Sequence, residues 1–179
     1  MASKISTSAP SKTSVSEASS REKSQNHLYW IAIIMTLIGV GIGLYLTYVK
    51  VADEEAVCVK SDTFDCNSVQ TSAYSEMLGI PVAFIGLAAY GTMLGLLLLE
   101  RRISLVNEYS RVLLFAMTLF GVVYSAYLTY IEAFVLEKWC MWCVASALLM
   151  VGLFILSLTR VLNSFSDEDF EDDEAMAAE

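Results

Sequence analysis

Four stretches of this chain, Tyr29 to Val49, Ile80 to Leu99, Val112 to Ile131 and Met141 to Thr159, carry no Asp, Glu, Lys, Arg or His. At about 1.5 Å of rise per residue, each is long enough as a helix to cross a hydrocarbon core of roughly 30 Å. The expected fold is therefore all-α, an integral membrane four-helix bundle over residues 29–162. One connecting loop, Lys50 to Gly79, is long enough to carry a short helix of its own. With 179 residues, 56% of them hydrophobic, no separate soluble domain fits.

Basic residues give the orientation, since cytoplasmic flanks of spans hold an excess of Lys and Arg. Lys4, Lys12, Arg21 and Lys23 precede the first span, Arg101, Arg102 and Arg111 lie between the second and third, and Arg160 follows the fourth. Only Lys50, Lys60 and Lys138 fall on the other side. Both termini are thus expected in the cytoplasm, with residues 50–80 and 132–140 outside it. The net charge of −9 comes largely from the tail, where Phe165 to Glu179 holds eight carboxylates and no base. That tail (163–179) and the Ser-rich opening (1–28) lack the apolar residues for a core and are expected to be disordered. Neither a transit peptide nor a cleavable signal is expected, because the opening has one Arg and the first apolar run is long enough to span.

An internal echo suggests two helix pairs. Met35-Thr36-Leu37, Gly39-Val40 and Tyr45-Leu46-Thr47-Tyr48 recur 82 residues later as Met117-Thr118-Leu119, Gly121-Val122 and Tyr127-Leu128-Thr129-Tyr130, and the same offset relates Cys58 to Cys140. Shared span composition could supply part of that match. Gly39, Gly41 and Gly43 would let helices approach closely. Tyr45, Tyr48, Tyr124, Tyr127, Tyr130, Trp139 and Trp142 gather at the outer span ends, as an aromatic belt does, with a cofactor-lining ring as the alternative. In the loop, Asn67 or Ser68 is expected to cap a helix running to about Leu78, with Val69, Ala73, Tyr74 and Met77 on its apolar side and Gly79 and Pro81 ending it.

All four cysteines fall on the outer side, where disulfides persist. Two of them form Cys140-Met141-Trp142-Cys143 at the mouth of the fourth span. A dithiol at a helix start has a lowered thiol pKa, and the thiolate is the species that exchanges disulfides. Sulfur-based electron transfer follows, and no His or carboxylate is expected to take part: the spans contain none, and His27 is on the wrong side. A structural protein stapled by two disulfides is the main alternative. Yet a ring as small as CxxC restrains little chain. A zinc site of all four cysteines fits poorly, because the two-residue spacing occurs only once, so no metal is expected.

At Cys58, Cys66 and Cys140-x-x-Cys143 the sequence resembles the vitamin K epoxide reductase family, in the bacterial branch that couples disulfide formation to quinone reduction. The likeness covers roughly residues 29–160 and includes the seven residues between the loop cysteines, Ser72 six positions after the second, and the Gly79-Ile80-Pro81 entry to the second span. The resemblance implies that Cys58 exchanges with a separate thioredoxin-fold dithiol oxidase, Cys66 shuttles to Cys140, and Cys143 faces a quinone. Each handover is a thiolate attacking a disulfide sulfur through a mixed disulfide. The quinone could be ubiquinone, menaquinone or plastoquinone. Ala147 stands where animal members have Tyr, which speaks against quinone-epoxide reduction, the alternative activity. A periplasmic oxidase near about −120 mV cannot pass electrons down to couples at roughly −200 to −300 mV, so the sink must be more oxidising, as a lipid-soluble quinone is. A bacterial inner membrane is the expected location, with a thylakoid as the other placement. Membrane lipid is the remaining partner, and no nucleic acid is expected.

Overall fold

The structure, a computed structural model, describes residues 12–59, 61, 63–77, 79–102 and 104–177, with side chains described outside 12–22, 24, 25, 104–108 and 164–177. Its elements in chain order are α1 (Lys12–Ala52), α2 (Cys66–Gln70), a 3-10 turn (Ala73–Ser75), strands β1 (Glu76–Met77) and β2 (Ile80–Pro81), α3 (Val82–Glu100), α4 (Ser104–Phe134) and α5 (Met141–Ala177). Four segments within these helices are long and apolar enough to cross a membrane: Asn26–Ala52, Val82–Glu100, Tyr109–Phe134 and Met141–Asn163.

The long helices close into a ring, α1 packing on α3 and α5, and α4 on α3 and α5. Tyr29, Ala32, Ile33, Tyr90, Met93, Leu97, Leu114, Met150 and Leu153 fill its centre. Ile34, Leu37, Val123, Leu148 and Ile155 point outward and stay exposed, which suits helices whose solvent is hydrocarbon. The glycines of α1 divide by role: a Cβ on Gly39 would overlap the Tyr90 ring and one on Gly43 would press on the Leu87 backbone, whereas Gly41 faces open space.

Polar contacts inside the ring set register. Thr36 and Thr118, equivalent in the 82-residue echo, are both buried, and each hydroxyl donates to the carbonyl one turn back, of Ala32 and Leu114. Thr118 also meets Ser157 at 2.9 Å. Tyr90 joins α3 to α5 through the carbonyl and hydroxyl of Ser146, at 3.0 and 3.1 Å. Interhelical bonds of this kind average about 0.6 kcal/mol in a membrane protein, so their main effect is on alignment. At the end away from the cysteines, Glu100 and Arg160 form a buried ion pair, and Arg101 lies 4.5 Å from the Tyr29 ring centre.

α1 begins at Lys12 and α5 runs to Ala177, so both helices continue past the candidate spans. Extending an existing helix needs no new nucleus, and that lets weakly apolar flanks continue it. Residues 1–11 lie outside the described residues. The loop helix is shorter than expected: α2 has five residues, and its N-cap is Asp65, not Asn67 or Ser68. After it the chain makes a small β1–β2 hairpin around Gly79, whose φ of +79° a β-carbon would strain. Val69 is buried as expected, but Tyr74 and Met77 are exposed.

Candidate active site

The loop after α1 is held from both sides. α1 ends with Asp53 in the left-handed region, φ 53°, and Glu54 N–H returning to the Val49 carbonyl. Four residues on, Val57 N–H donates to the Tyr45 hydroxyl at 2.8 Å, and Trp142 Nε1 donates to the Val57 carbonyl at 2.9 Å. The Tyr45 and Trp142 rings meet at 4.9 Å. Two members of the expected aromatic belt therefore strap the loop down one residue before Cys58. Tyr48, Tyr127 and Tyr130 remain exposed, in keeping with a belt.

Cys58 is disulfide-bonded to Cys66, which is fully buried at the start of α2. Asp65 fixes that start, its carboxylate accepting the Ser68 N–H at 3.2 Å and the Ser68 hydroxyl at 2.6 Å. These bonds, the hydroxyl's first, hold the Asp65 carboxyl below its ordinary value. A depressed carboxylate pKa contributes stability that is fully present above the ordinary value and is lost as pH falls through the lowered one. Replacing Asp65 by Ala should cost about 1 kcal/mol, the usual worth of such a cap. The loop should then be cut faster by protease at neutral pH, and the difference from the parent should fade in acid. A cut rate equal to the parent's at neutral pH would show that the cap does not hold the loop.

The second cysteine pair is fastened to the first by backbone. Asp65 N–H donates to the Trp139 carbonyl at 3.2 Å, and Trp139 N–H to the Thr63 carbonyl at 2.9 Å, in a parallel bridge between Phe64 and Trp139. Cys66 and Cys140 thus follow closely on paired residues. Both have no exposed surface, and they share one cluster with Val49, Ala56 and Val69, against which Cys58 and Cys143 pack. All four sequence-predicted cysteines are brought together.

Cys140 immediately precedes α5, and its sulfur takes the place of a capping oxygen: Cys143 N–H donates to Cys140 Sγ at 3.3 Å. The two sulfurs are 2.6 Å apart. The Cys143 thiol, and after it the Cys143 N–H, keep the Cys140 thiol below its ordinary pKa against the opposing effect of burial. At neutral pH this raises the share of thiolate and makes Cys140 a better leaving group in exchange.

A carboxylate stands at this pair, contrary to expectation. Glu132 is 4% exposed, and its Oε2 accepts the Cys140 N–H at 3.1 Å. Its carboxylate and both sulfurs lie within 4.8 Å of one another. The apolar run stops at Ile131, but α4 continues to Phe134, which carries Glu132 into the span. The available signal was helical spacing: Glu132 is four residues from Leu128 and seven from Ser125, and all three line one cavity.

That cavity, about 450 Å³, lies inside the ring and is lined mostly by apolar side chains such as Leu46, Met93, Met117, Phe120 and Met150. Cys143 is in its wall and Cys140 is not. Ala147 sits one turn beyond Cys143 in the same wall. At the loop end are Gln70, Ser72, Tyr74 and Lys50, whose ammonium bonds the Gln70 carbonyl at 3.3 Å and lies 3.4 Å from Glu76. Gln70 Nε2 is buried and has no partner among the described residues.

The model of the vitamin K epoxide reductase family matches residues 30–158. The chain belongs to that family. Among curated relatives it is 35% identical over 123 residues to the thiol-disulfide oxidoreductase LTO1 of Arabidopsis thaliana, a match covering 65% of this chain and 32% of that protein. It is 27% identical over 143 residues to vitamin K epoxide reductase complex subunit 1 of Mus musculus, covering 73% of this chain and 89% of the mouse protein. The chain therefore spans about a third of the Arabidopsis relative and most of the mouse one. Membership in the vitamin K epoxide reductase family agrees with the four candidate spans and makes this an integral membrane protein. Placement and the CxxC spacing singled out the four cysteines in the sequence; they did not point to Glu132, to the Tyr45–Trp142 strap or to the Gln70 amide.

Proposed function

We propose that this protein is a membrane thiol oxidoreductase that takes electrons from a thioredoxin-fold dithiol partner outside the cytoplasm and passes them through Cys58–Cys66 and Cys140–Cys143 to a membrane quinone. The observation that carries this reading is the continuity of sulfur from the loop to the cavity: Cys58 beside the exposed Val57 and Val59, Cys66 and Cys140 in one buried cluster, and Cys143 in the cavity wall. The outward placement of the cysteine end rests on the distribution of Lys and Arg.

Cys58, half-buried on an exposed stretch of loop, is the sulfur a protein partner reaches first. Once reduced, the loop pair presents the Cys66 thiolate to Cys140, and Cys143 leaves as a thiolate that takes up the proton Cys58 gives away before its own attack. Attack of Cys58 on Cys66 then frees Cys140, which leaves readily because its pKa is held down. The handover asks for local movement of a sulfur within one cluster, not for a wide swing of the loop.

The cavity suits a quinone by three features: apolar walls, a thiol in the wall, and the Gln70 amide, unpartnered among the described residues, as donor to a carbonyl oxygen. When bound, a quinone supplies a two-electron sink more oxidising than any dithiol in the chain. Cys143 is the sulfur that faces it. In protein carrying Cys140→Ala, the Cys143 thiolate against an electron-poor ring should give a visible charge-transfer band on adding a soluble quinone. The band should vanish in the Cys140→Ala, Cys143→Ser double variant. A band that survives the second replacement would place the acceptor elsewhere.

A further inference from the structure

The electron path described above leaves the buried carboxylate of Glu132 without a task. Its burial is nearly complete, it touches the reacting pair, and it lines the same cavity as Cys143. Converting a dithiol to a disulfide releases protons as well as electrons. The proton that must leave is held by Cys143, half-buried in the cavity wall, where Glu132 is a fellow lining residue. A carboxylate within 4.8 Å of both sulfurs is the base at hand.

Building on the proposed thiol oxidase function, we infer that Glu132 is the proton carrier of the Cys140–Cys143 pair, taking a proton from the Cys143 thiol as the disulfide closes and releasing it into the cavity. The balance begins from Cys140 as thiolate and Cys143 as thiol, the state that exchange with the loop pair leaves. Closing the Cys140–Cys143 bond breaks the Cys143 S–H bond and yields one proton and two electrons. Glu132 takes the proton and becomes a carboxylic acid. The two electrons go to the quinone together with that proton, and a second proton comes from water at the loop end of the cavity, giving hydroquinone.

Glu132 also has a structural contact, because its Oε2 accepts the Cys140 N–H and so helps cap α5. Gln can keep that contact but cannot carry a proton, which separates the two roles. Other titratable groups share the surroundings. Lys50, Tyr74, Tyr90 and Tyr124 line the cavity with Cys143. Lys138 donates its backbone N–H to the Glu132 carbonyl at 3.1 Å, and Glu137 is its neighbour. Asp65 lies on the loop segment bonded to Trp139, with its carboxylate held by Ser68.

The test uses the full chain with Glu132→Gln and Glu132→Asp. In quinone-free, dithiol-reduced protein, the pH profile of alkylation at Cys140 should move to lower pH in Glu132→Gln, because the charge that opposes the Cys140 thiolate is gone. With a soluble quinone added, Glu132→Gln should lower kcat by about 100-fold, the scale of general acid–base catalysis, with KM for the quinone unchanged. Glu132→Asp, which keeps the carboxylate, should retain more of the rate and should serve if the Gln variant does not fold. An unmoved alkylation profile together with parental kcat in Glu132→Gln, or an Asp variant no better than Gln, would overturn the assignment. If the unsubstituted protein itself passes no electrons to quinone, the thiol oxidase reading fails, an outcome distinct from failure of the Glu132 assignment alone.

Discussion

Protein carrying Cys143→Ala is expected to lose quinone-dependent thiol oxidation, by about a thousand-fold or more as for removal of a reacting nucleophile, and to accumulate a disulfide between Cys66 and Cys140. Both sulfurs are buried in one cluster and held there by the Phe64–Trp139 bridge, so the mixed disulfide has its partners in place. What the variant lacks is the thiolate that would expel Cys66 from Cys140. Peptide mapping after acid quenching and alkylation reads the product. A Cys58→Ala variant should behave differently, keeping turnover with a small dithiol while losing it with a protein partner. If Cys143→Ala instead left Cys66 and Cys140 as separate thiols, the order of sulfurs along the path would be wrong.

Substituting Arg160 by Met should destabilise the protein by about 3–5 kcal/mol, because it strands the buried Glu100 carboxylate without its ion-pair partner. The pair sits at the end of the bundle away from the cysteines, with side chains 10% and 8% exposed, and Arg160 lies 6.0 Å from the Tyr29 ring centre. Replacing both members together, Arg160→Met with Glu100→Leu, should recover most of the loss, since a buried pair gives back little beyond its own desolvation. Thermal unfolding in detergent of the two single variants and the double one measures the coupling. Additive losses would mean that the two side chains do not act as a pair.

The bundle was readable because membrane spans announce themselves by length and absence of charge: among the described residues, each of the four candidate spans coincides with a run seen in the sequence, the second starting at Val82 because Ile80 and Pro81 belong to β2. Cysteines were readable because their chemistry is tied to residue type. Glu132 was not, and the reason is physical: it sits one residue beyond the apolar run, where a carboxylate ordinarily marks the exit to water. Only the turn after α4, which brings the Lys138 N–H onto the Glu132 carbonyl and the Cys140 N–H onto its carboxylate, turns that exit inward. The loop misread has a similar origin. Asn67 and Ser68 are good caps by type, as Asp65 is, and the deciding contact is the backbone bond from Asp65 to Trp139, more than seventy residues away in sequence. Tyr45 and Trp142 looked like members of an interfacial belt, since nothing local reveals that both reach the backbone of Val57.

The central claim is that these four cysteines form one path ending at a quinone, and the most direct measurement counts thiols. Purified protein in lipid, fully reduced with a small dithiol, freed of it and then mixed with a quinone, should lose all four thiols on acid trapping, the Cys140–Cys143 pair closing first and the Cys58–Cys66 pair following through it. In the Cys140→Ala variant the loop pair should stay reduced under the same conditions. Four thiols that persist after quinone is added, or a loop pair that oxidises equally fast without Cys140, would contradict the account.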